Sequence, residues 1–363
     1  MKKQSWHFLM WFGSITFGVY IGFATIVGEF SYFSEPMKNA GIYGPFILIL
    51  LSIIIGFVGA IIKVGIDFGR FEHEELPQNQ PPSASALAGA MIAQVEEYAK
   101  QRNYQSAIRL GRVLSRPLWV DGQYEERIRL GEIMFEVGSA EGKKEIQMQA
   151  LIDDLGWTYV VLNNYNEAKK NINQGLKIAE DIKDFYMIAK ANRHLGGIAT
   201  RLSMFPDAEK NLLLAEDAAK KITDEKNRTE MLAGIQYGLA EVYRNIGKLD
   251  EAELACKSAQ KAFNEMNDSE RLAKTYSRLG QIYLDKKLNI EAHSTFSEGL
   301  EVSRRANRKD EIVRNLIGIA RVYLSDGRTR DAKEKLEEAN NMAQSIGLVV
   351  ERDETRNLLQ KIK

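Results

Sequence analysis

Cysteine is almost absent from this chain: Cys256 is the single one among 363 residues. One thiol cannot close an internal disulfide, so no disulfide framework holds the fold, and such usage fits a reducing compartment. Cys256 falls where a buried apolar residue is expected, and there a cysteine acts as a small hydrophobe rather than a reactive thiol. Histidine is scarce as well, with His7, His73, His194 and His293 the four in the chain. None stands at metal-ligand spacing from another histidine or from the cysteine, so no metal site is expected. His194 precedes an apolar helical position, and the expectation is a packed or solvated ring rather than a catalytic one. An excess of one charge is also missing: 49 Lys and Arg balance 49 Asp and Glu. No bulk attraction to nucleic acid follows from that balance. No glycine-rich loop between a strand and a helix is present to cradle a phosphate. With no cofactor signature and no positioned acid, base or nucleophile, the expectation is a binding protein and not an enzyme.

What the chain does have is a repeat. A small residue returns at Gly156, Gly196, Ala240, Gly280 and Ala320, spaced by 40, 44, 40 and 40 residues. Leu155, Leu195, Leu239, Leu279 or Ile319 stands one residue before it, and Tyr159, Ala199, Tyr243, Tyr283 or Tyr323 three after. These share one helical face. Twelve residues after the small slot every copy has alanine: Ala168, Ala208, Ala252, Ala292 and Ala332. Each is preceded by an acid, Glu167, Asp207, Glu251, Glu291 or Asp331, which favours a helix N-terminus. Ile172, Leu212, Cys256, Phe296 and Leu336 follow, then a second small residue, Gly175, Ala215, Ala259, Gly299 or Ala339. Each unit therefore reads as two helices joined by a tight turn such as Asn163-Asn164 or Ser325-Asp326-Gly327. Asp153-Asp154 reads as the start or the solvated face of a helix.

This pattern resembles the tetratricopeptide repeat, TPR, over roughly residues 90–350. Two departures are plain: the repeat-final proline is missing, and the period is about 40 rather than the usual 34. Longer helices account for both. The pattern is most similar to the forty-residue TPR subclass of kinesin light chains, heterotrimeric-G-protein adaptors and bacterial peptide-sensing regulators. The resemblance implies an all-α right-handed solenoid offering a cytosolic surface to a peptide or another protein.

The first seventy residues are different. Residues 4–28 hold no acidic or basic side chain other than His7, and residues 45–62 hold none. Each run can cross a hydrocarbon layer about 30 Å thick, so residues 1–70 are read as a transmembrane hairpin with helices at about 5–28 and 45–67. A cleaved signal peptide competes for the first run, but the apolar stretch is too long for one and no small-residue cleavage site follows. Lys2, Lys3, Lys63 and Arg70 flank the outer ends, against Lys38 in the connection. The basic bias puts both termini and the repeats in the cytoplasm, with the plasma membrane of a bacterium as the expected bilayer. Ser14, Gly18 and Gly22, and Ser52, Gly56 and Ala60, recur four apart and form membrane helix-packing seams. Those seams close one hairpin, or alternatively hold a homo-oligomer together.

Residues 71–90, with Pro77, Pro81, Pro82 and a Ser-Ala-Ser run, read as a flexible linker. Residues 91–154 read as degenerate N-terminal repeats, with Leu130-Gly131 marking one whose second helix is spoiled around Gly138 to Lys144. Five repeats fill residues 155–346, and residues 347–363 form a capping helix through Leu358, Leu359 and Ile362.

In TPR arrays the first helix of each pair lines the concave face. Counting six and three residues back from the small slot, and one and four forward, selects Lys190, Arg193, Tyr237, Glu241, Arg244, Lys274, Gln281, Arg314 and Arg321. Six of the nine are basic, which points to a basic groove and an acidic peptide or other carboxylate ligand. The bland alternative is that neighbouring acids pair with them. The functional expectation is a membrane-anchored scaffold or adaptor that recruits a protein or peptide partner. The alternative from another class is a signal-gated effector whose hairpins oligomerise to perturb the membrane.

Overall fold

A computed structural model describes residues 84–362, with no account of side chains before Ala88. Both predicted spans, with Ser14, Gly18, Gly22, Ser52, Gly56 and Ala60, lie outside the described residues, as do residues 71–83 of the linker. Among the described residues no helix is long and apolar enough to cross a membrane.

The described chain is all α. Helices α1 (Ala84–Lys100), α2 (Tyr104–Val120) and α3 (Tyr124–Ala140) come first. Helix α4 (Lys144–Gln149), a π-helical segment (Ala150–Trp157) and α5 (Thr158–Val161) run on from one another without a turn. Then come α6 (Tyr165–Ile182), α7 (Phe185–Arg201), α8 (Phe205–Ala219), α9 (Glu225–Asn245) and α10 (Leu249–Glu265). Helices α11 (Ser269–Asp285), α12 (Asn289–Arg305), α13 (Lys309–Ser325), α14 (Thr329–Ser345) and α15 (Val349–Lys361) complete the array. Helix α1 opens inside the stretch read as linker.

Sequence chemistry sets where each helix stops. Within each repeat the turn between the two helices carries one residue in the left-handed region: Asn163, Ser203, Gly247, Lys287 or Gly327. That conformation lets the turn close back on the helix, as where the Arg328 N–H donates to the Tyr323 carbonyl at 2.8 Å. Gly247 and Gly327 adopt φ of 78° and 72° without a Cβ penalty. Starts are capped by side chains, with Asn164, Asp184, Asp224 and Asp268 accepting from the N–H three residues on. The acids Glu167, Asp207, Glu251, Glu291 and Asp331 occupy the first turns of second helices, where the helix dipole favours them.

Packing explains the small slots. A Cβ on Gly156 would lie 2.5 Å from Ile172, one on Gly196 2.7 Å from Leu212, and one on Gly280 2.6 Å from Phe296. The slot of the first helix thus receives the large residue sixteen positions later on the second, which brings the two backbones close. Ala168, Ala208, Ala252, Ala292 and Ala332 are fully buried at the same contacts. The 44-residue spacing arises within α9, which has 21 residues where most first helices have 17. At the far end Leu358, Leu359 and Ile362 pack on Ala320, Ala332 and Leu336.

The front of the array departs from alternation. Leu130-Gly131 lies on α3, and the next helix is already the one carrying Leu155-Gly156, so α3 has no second helix of its own. A Cβ on Gly131 would meet Leu155 and Asp154 at 2.9–3.0 Å. Two first-type helices therefore stack directly on each other, and α1 to α3 share a core of Ile92, Val95, Ile108, Leu114, Leu130 and Met134.

Candidate functional site

The first helices of successive pairs line two cavities that meet at Tyr237. The front cavity, about 780 Å³, lies between α2, α3, the π segment, α7 and α9. The rear one, about 290 Å³, lies between α9, α11, α13 and α15.

The front cavity is built on a buried ionic link. Asp154 is 3% exposed, accepts from the Ser115 hydroxyl of α2 and pairs with Arg127 of α3 at 3.2 Å. Arg127 also donates to the Thr158 hydroxyl at 2.8 Å and lies 5.0 Å over the Trp119 ring. Burial pushes the Asp154 carboxyl up to about 6, opposed by the Ser115 bond and the Arg127 charge. The reading of Asp153-Asp154 as a helix start or solvated face is corrected here. The π segment turns Asp154 into the core, where Arg127 repays part of its desolvation, and leaves Asp153 to pair with Lys190 at 2.7 Å.

An aromatic wall follows. Trp119 of α2 sits 6.2 Å from Trp157, and His194 of α7 stacks on Trp157 at 4.5 Å and 26°. His194 is 6% exposed, and its Nε2 is buried with no hydrogen-bond partner among the described residues. Burial, then the Arg193 and Lys190 charges, hold its pKa well below the usual range, so the ring is neutral at pH 7. Arg193 beside it has a buried Nε without a partner among the described residues, and burial lowers its pKa. Its guanidinium keeps its charge at any physiological pH.

The rear cavity is charged but largely closed on itself. Arg278 lies 3.8 Å over the Tyr237 ring, donates to the Tyr237 carbonyl at 2.7 Å and pairs with Glu241 at 2.8 Å. Glu311, 1% exposed, accepts from the Ser277 hydroxyl at 2.7 Å and from Arg314. Arg314 reaches Glu351 at 3.0 Å, while Arg321 reaches Glu354 at 2.7 Å and Gln281 at 3.0 Å.

The sequence-selected residues distribute as follows. Lys190, Arg193 and Glu241 line the front cavity, Lys274, Gln281, Arg314 and Arg321 the rear one, and Tyr237 both. Arg244 lines neither and pairs with Asp285. The basic character concentrates at the front, because α15 and α13 supply the acids that neutralise Arg314 and Arg321. Sequence counting passed over the position two before the slot, which lines a cavity in four repeats: His194, Gly238, Arg278 and Gly318. At 3.6 residues per turn the inward face falls between two and three residues before the slot, so both positions belong to it. Ser115, Arg116, Trp119 and Arg127 come from the irregular front helices, where no repeat phase was available to select them.

The sequence matches the tetratricopeptide repeat family model over residues 153–182, which is the π segment through α6. No curated protein matches the chain by sequence. Among solved structures, aspartyl phosphate phosphatase F from Bacillus subtilis aligns with a TM-score of 0.54 and 12% identity, covering 77% of this chain and 80% of that one. The Rap conjugation gene regulator of plasmid pLS20, solved with a Phr peptide, gives 0.53 and 15%, covering 76% and 80%. A signal-transduction ATPase with a tetratricopeptide repeat sensor from Pyrococcus horikoshii gives 0.50 and 19%, covering 70% of this chain and 36% of that one. At such identities the likeness shows the fold alone. The chain carries a tetratricopeptide repeat within an all-α, TPR-like solenoid.

Proposed function

We propose that this chain is a membrane-anchored scaffold whose solenoid binds a protein or peptide partner on the cytosolic side and does no chemistry itself. The observation that carries the reading is the front cavity: about 780 Å³ between first helices, lined by Trp119, Trp157 and Tyr237, with the buried Arg193 Nε without a partner among the described residues. A cavity of that size with apolar walls and a few convergent polar groups is what a ligand site requires. Stacked repeats supply such a surface largely preformed, so binding costs little reorganisation. The peptide in the pLS20 regulator's structure supports a peptide as one form the partner takes. The two charge-poor runs in residues 1–70 support the anchor, and the basic residues flanking them support a cytosolic solenoid.

Crosslinking and affinity capture of the full chain from its native membranes tests the proposal. A partner is expected on wild type and reduced several-fold by Lys190→Glu with Arg193→Glu. Extraction of the chain by alkaline carbonate, without detergent, would refute the anchor. Equal capture by wild type and the double variant would refute the groove.

A further inference from the structure

Helix α2 carries charge of a single sign and leaves it unanswered. It holds Arg109, Arg112 and Arg116 and no Asp or Glu. All three are exposed, and none has an ion pair or hydrogen bond among the described residues. Elsewhere exposed bases are met by acids one turn away on the same helix: Lys170 by Glu167, Lys257 by Glu253 and Lys333 by Glu337. In a chain whose 49 bases balance 49 acids, an acid-free helix with three unpaired arginines is a local excess of positive charge.

Apolar side chains stand among these arginines. Val113 is 64% exposed and Val120 70%, while Ala107, Ile108, Leu114 and Leu118 bury the other side of α2. At 3.6 residues per turn, positions 109, 113, 116 and 120 fall on one stripe, with 112 beside it. Packing therefore holds that stripe outward. Valine is a weaker helix former than alanine or lysine, and on an exposed face it gains nothing from burial, so folding explains neither Val113 nor Val120. Arg109, Arg112, Val113 and Val120 border neither cavity, and Arg116 reaches only the edge of the front one. The surface is separate from the groove.

Resting on the membrane-anchored reading above, we propose that the outward face of α2 docks on a bilayer surface rich in anionic lipid, with Arg109, Arg112 and Arg116 on the headgroup phosphates and Val113 and Val120 at the acyl boundary beneath them. A helix lying in an interface needs both kinds of side chain: cations to meet phosphate and apolar groups to enter below it. A guanidinium fork matches phosphate oxygens and sheds water more readily than an ammonium does. The cytosolic leaflet supplies the negative charge that the fold withholds. An anchor gives the chain its location, and this face adds an orientation, fixing which side of the solenoid looks away from the bilayer. Nucleic acid suits the face less well. Trp119 is turned to the front cavity beside Trp157, so no aromatic platform is offered to a base, and a phosphate backbone would leave both valines wet.

The test uses the full chain in nanodiscs of phosphatidylcholine, with and without added phosphatidylglycerol. An environment-sensitive dye is attached through Val113→Cys or, as a control on α10, through Leu254→Cys, which replaces a residue 73% exposed; Cys256 is buried and is spared. Quenching by headgroup-spin-labelled lipid reads contact. The dye at position 113 should be quenched in anionic discs, little in zwitterionic ones and less as salt is raised, while the dye at 254 stays unquenched. Arg109→Gln, Arg112→Gln and Arg116→Gln together should return the dye at 113 to its zwitterionic level, and each alone should lower the docking equilibrium about fivefold, the worth of one base at an anionic surface. The triple variant should melt where the parent does, because none of the three has a partner in the fold. Equal quenching at 113 with and without phosphatidylglycerol, equal quenching in parent and triple variant, or equal quenching at 113 and 254 would each overturn the surface. Binding of an oligonucleotide or of polyglutamate by the parent and not by the triple variant, with no quenching in anionic discs, would give the face to that polymer and overturn the lipid. A chain that leaves its native membranes in alkaline carbonate yet sediments with phosphatidylglycerol vesicles, and not with phosphatidylcholine ones, would overturn the anchor and leave the surface standing. A chain that resists carbonate while its dye at 113 never meets lipid would overturn the surface and leave the anchor.

Discussion

The two cavities are lined by equivalent positions of successive first helices, yet they treat charge in opposite ways. In the rear one, Glu311, Glu351 and Glu354 answer Arg314 and Arg321, Arg278 is met by Glu241 from the front cavity's lining, and the ion pairs run from repeat to repeat into α15. In the front one Arg193, His194 and Arg127 each keep a buried nitrogen without a partner among the described residues, while the one strong link, Arg127 to Asp154, is spent holding α3 to the π segment. The rear cavity is therefore a surface that stiffens the array. The front is a surface held open, where α1 to α3 replace regular repeats and the neutralising partners that a next repeat would bring are missing.

The comparison breaks most visibly at Asp154. Asp154→Ala leaves Arg127 buried and unpaired, which should cost about 3–5 kcal/mol. The rear counterpart, Arg321→Ala, removes a half-exposed pair and should cost less than about 1 kcal/mol. Denaturant midpoints of the two variants measure the contrast, and equal losses would erase it. Next in size is Gly280→Ala, where the new Cβ would sit 2.6–2.8 Å from the Phe296 ring. Overpacking there should cost about 1–3 kcal/mol. Gly197→Ala at the front, where a Cβ would meet nothing within 4 Å, should do the reverse and stabilise by about 0.5–1 kcal/mol, read by calorimetry.

Acid titration sharpens the same contrast. His194 is neutral in the folded chain and binds a proton once unfolded, so stability falls as pH drops through about 6.5. Asp154 works in the other direction. Its folded value of about 6 lies above the ordinary 3.8, so between those values the folded chain holds a proton that the unfolded chain lacks, and acidification there stabilises. A melting curve taken from pH 7.5 to 5 should therefore lose its first decline in His194→Phe, while changes at rear-cavity residues leave it in place.

How much was legible beforehand differs along the chain. From Gly156 onward the slot, the alanine twelve residues on and the large residue sixteen on fix both helices of each pair, because each contact is set within one forty-residue unit. Selecting Lys190, Arg193, Tyr237, Lys274, Gln281, Arg314 and Arg321 from that phase put them at the two cavities. The same counting overstated the basic groove, since Glu351 and Glu354 arrive from the capping helix and Glu311 from a position the count did not include. Asp154 was misjudged because a π segment shifts the phase of the helix by one residue, and nothing in the local sequence announces that shift.

By itself, then, the sequence determined the all-α repeat, the turns and the inward face, all of which depend on residues within one unit of each other. Tertiary structure alone decided which of the inward charges find a partner. That depends on side chains brought together across about 27 to 41 positions of chain, as with Arg127 and Asp154, Arg314 and Glu351, or Tyr237 and Arg278.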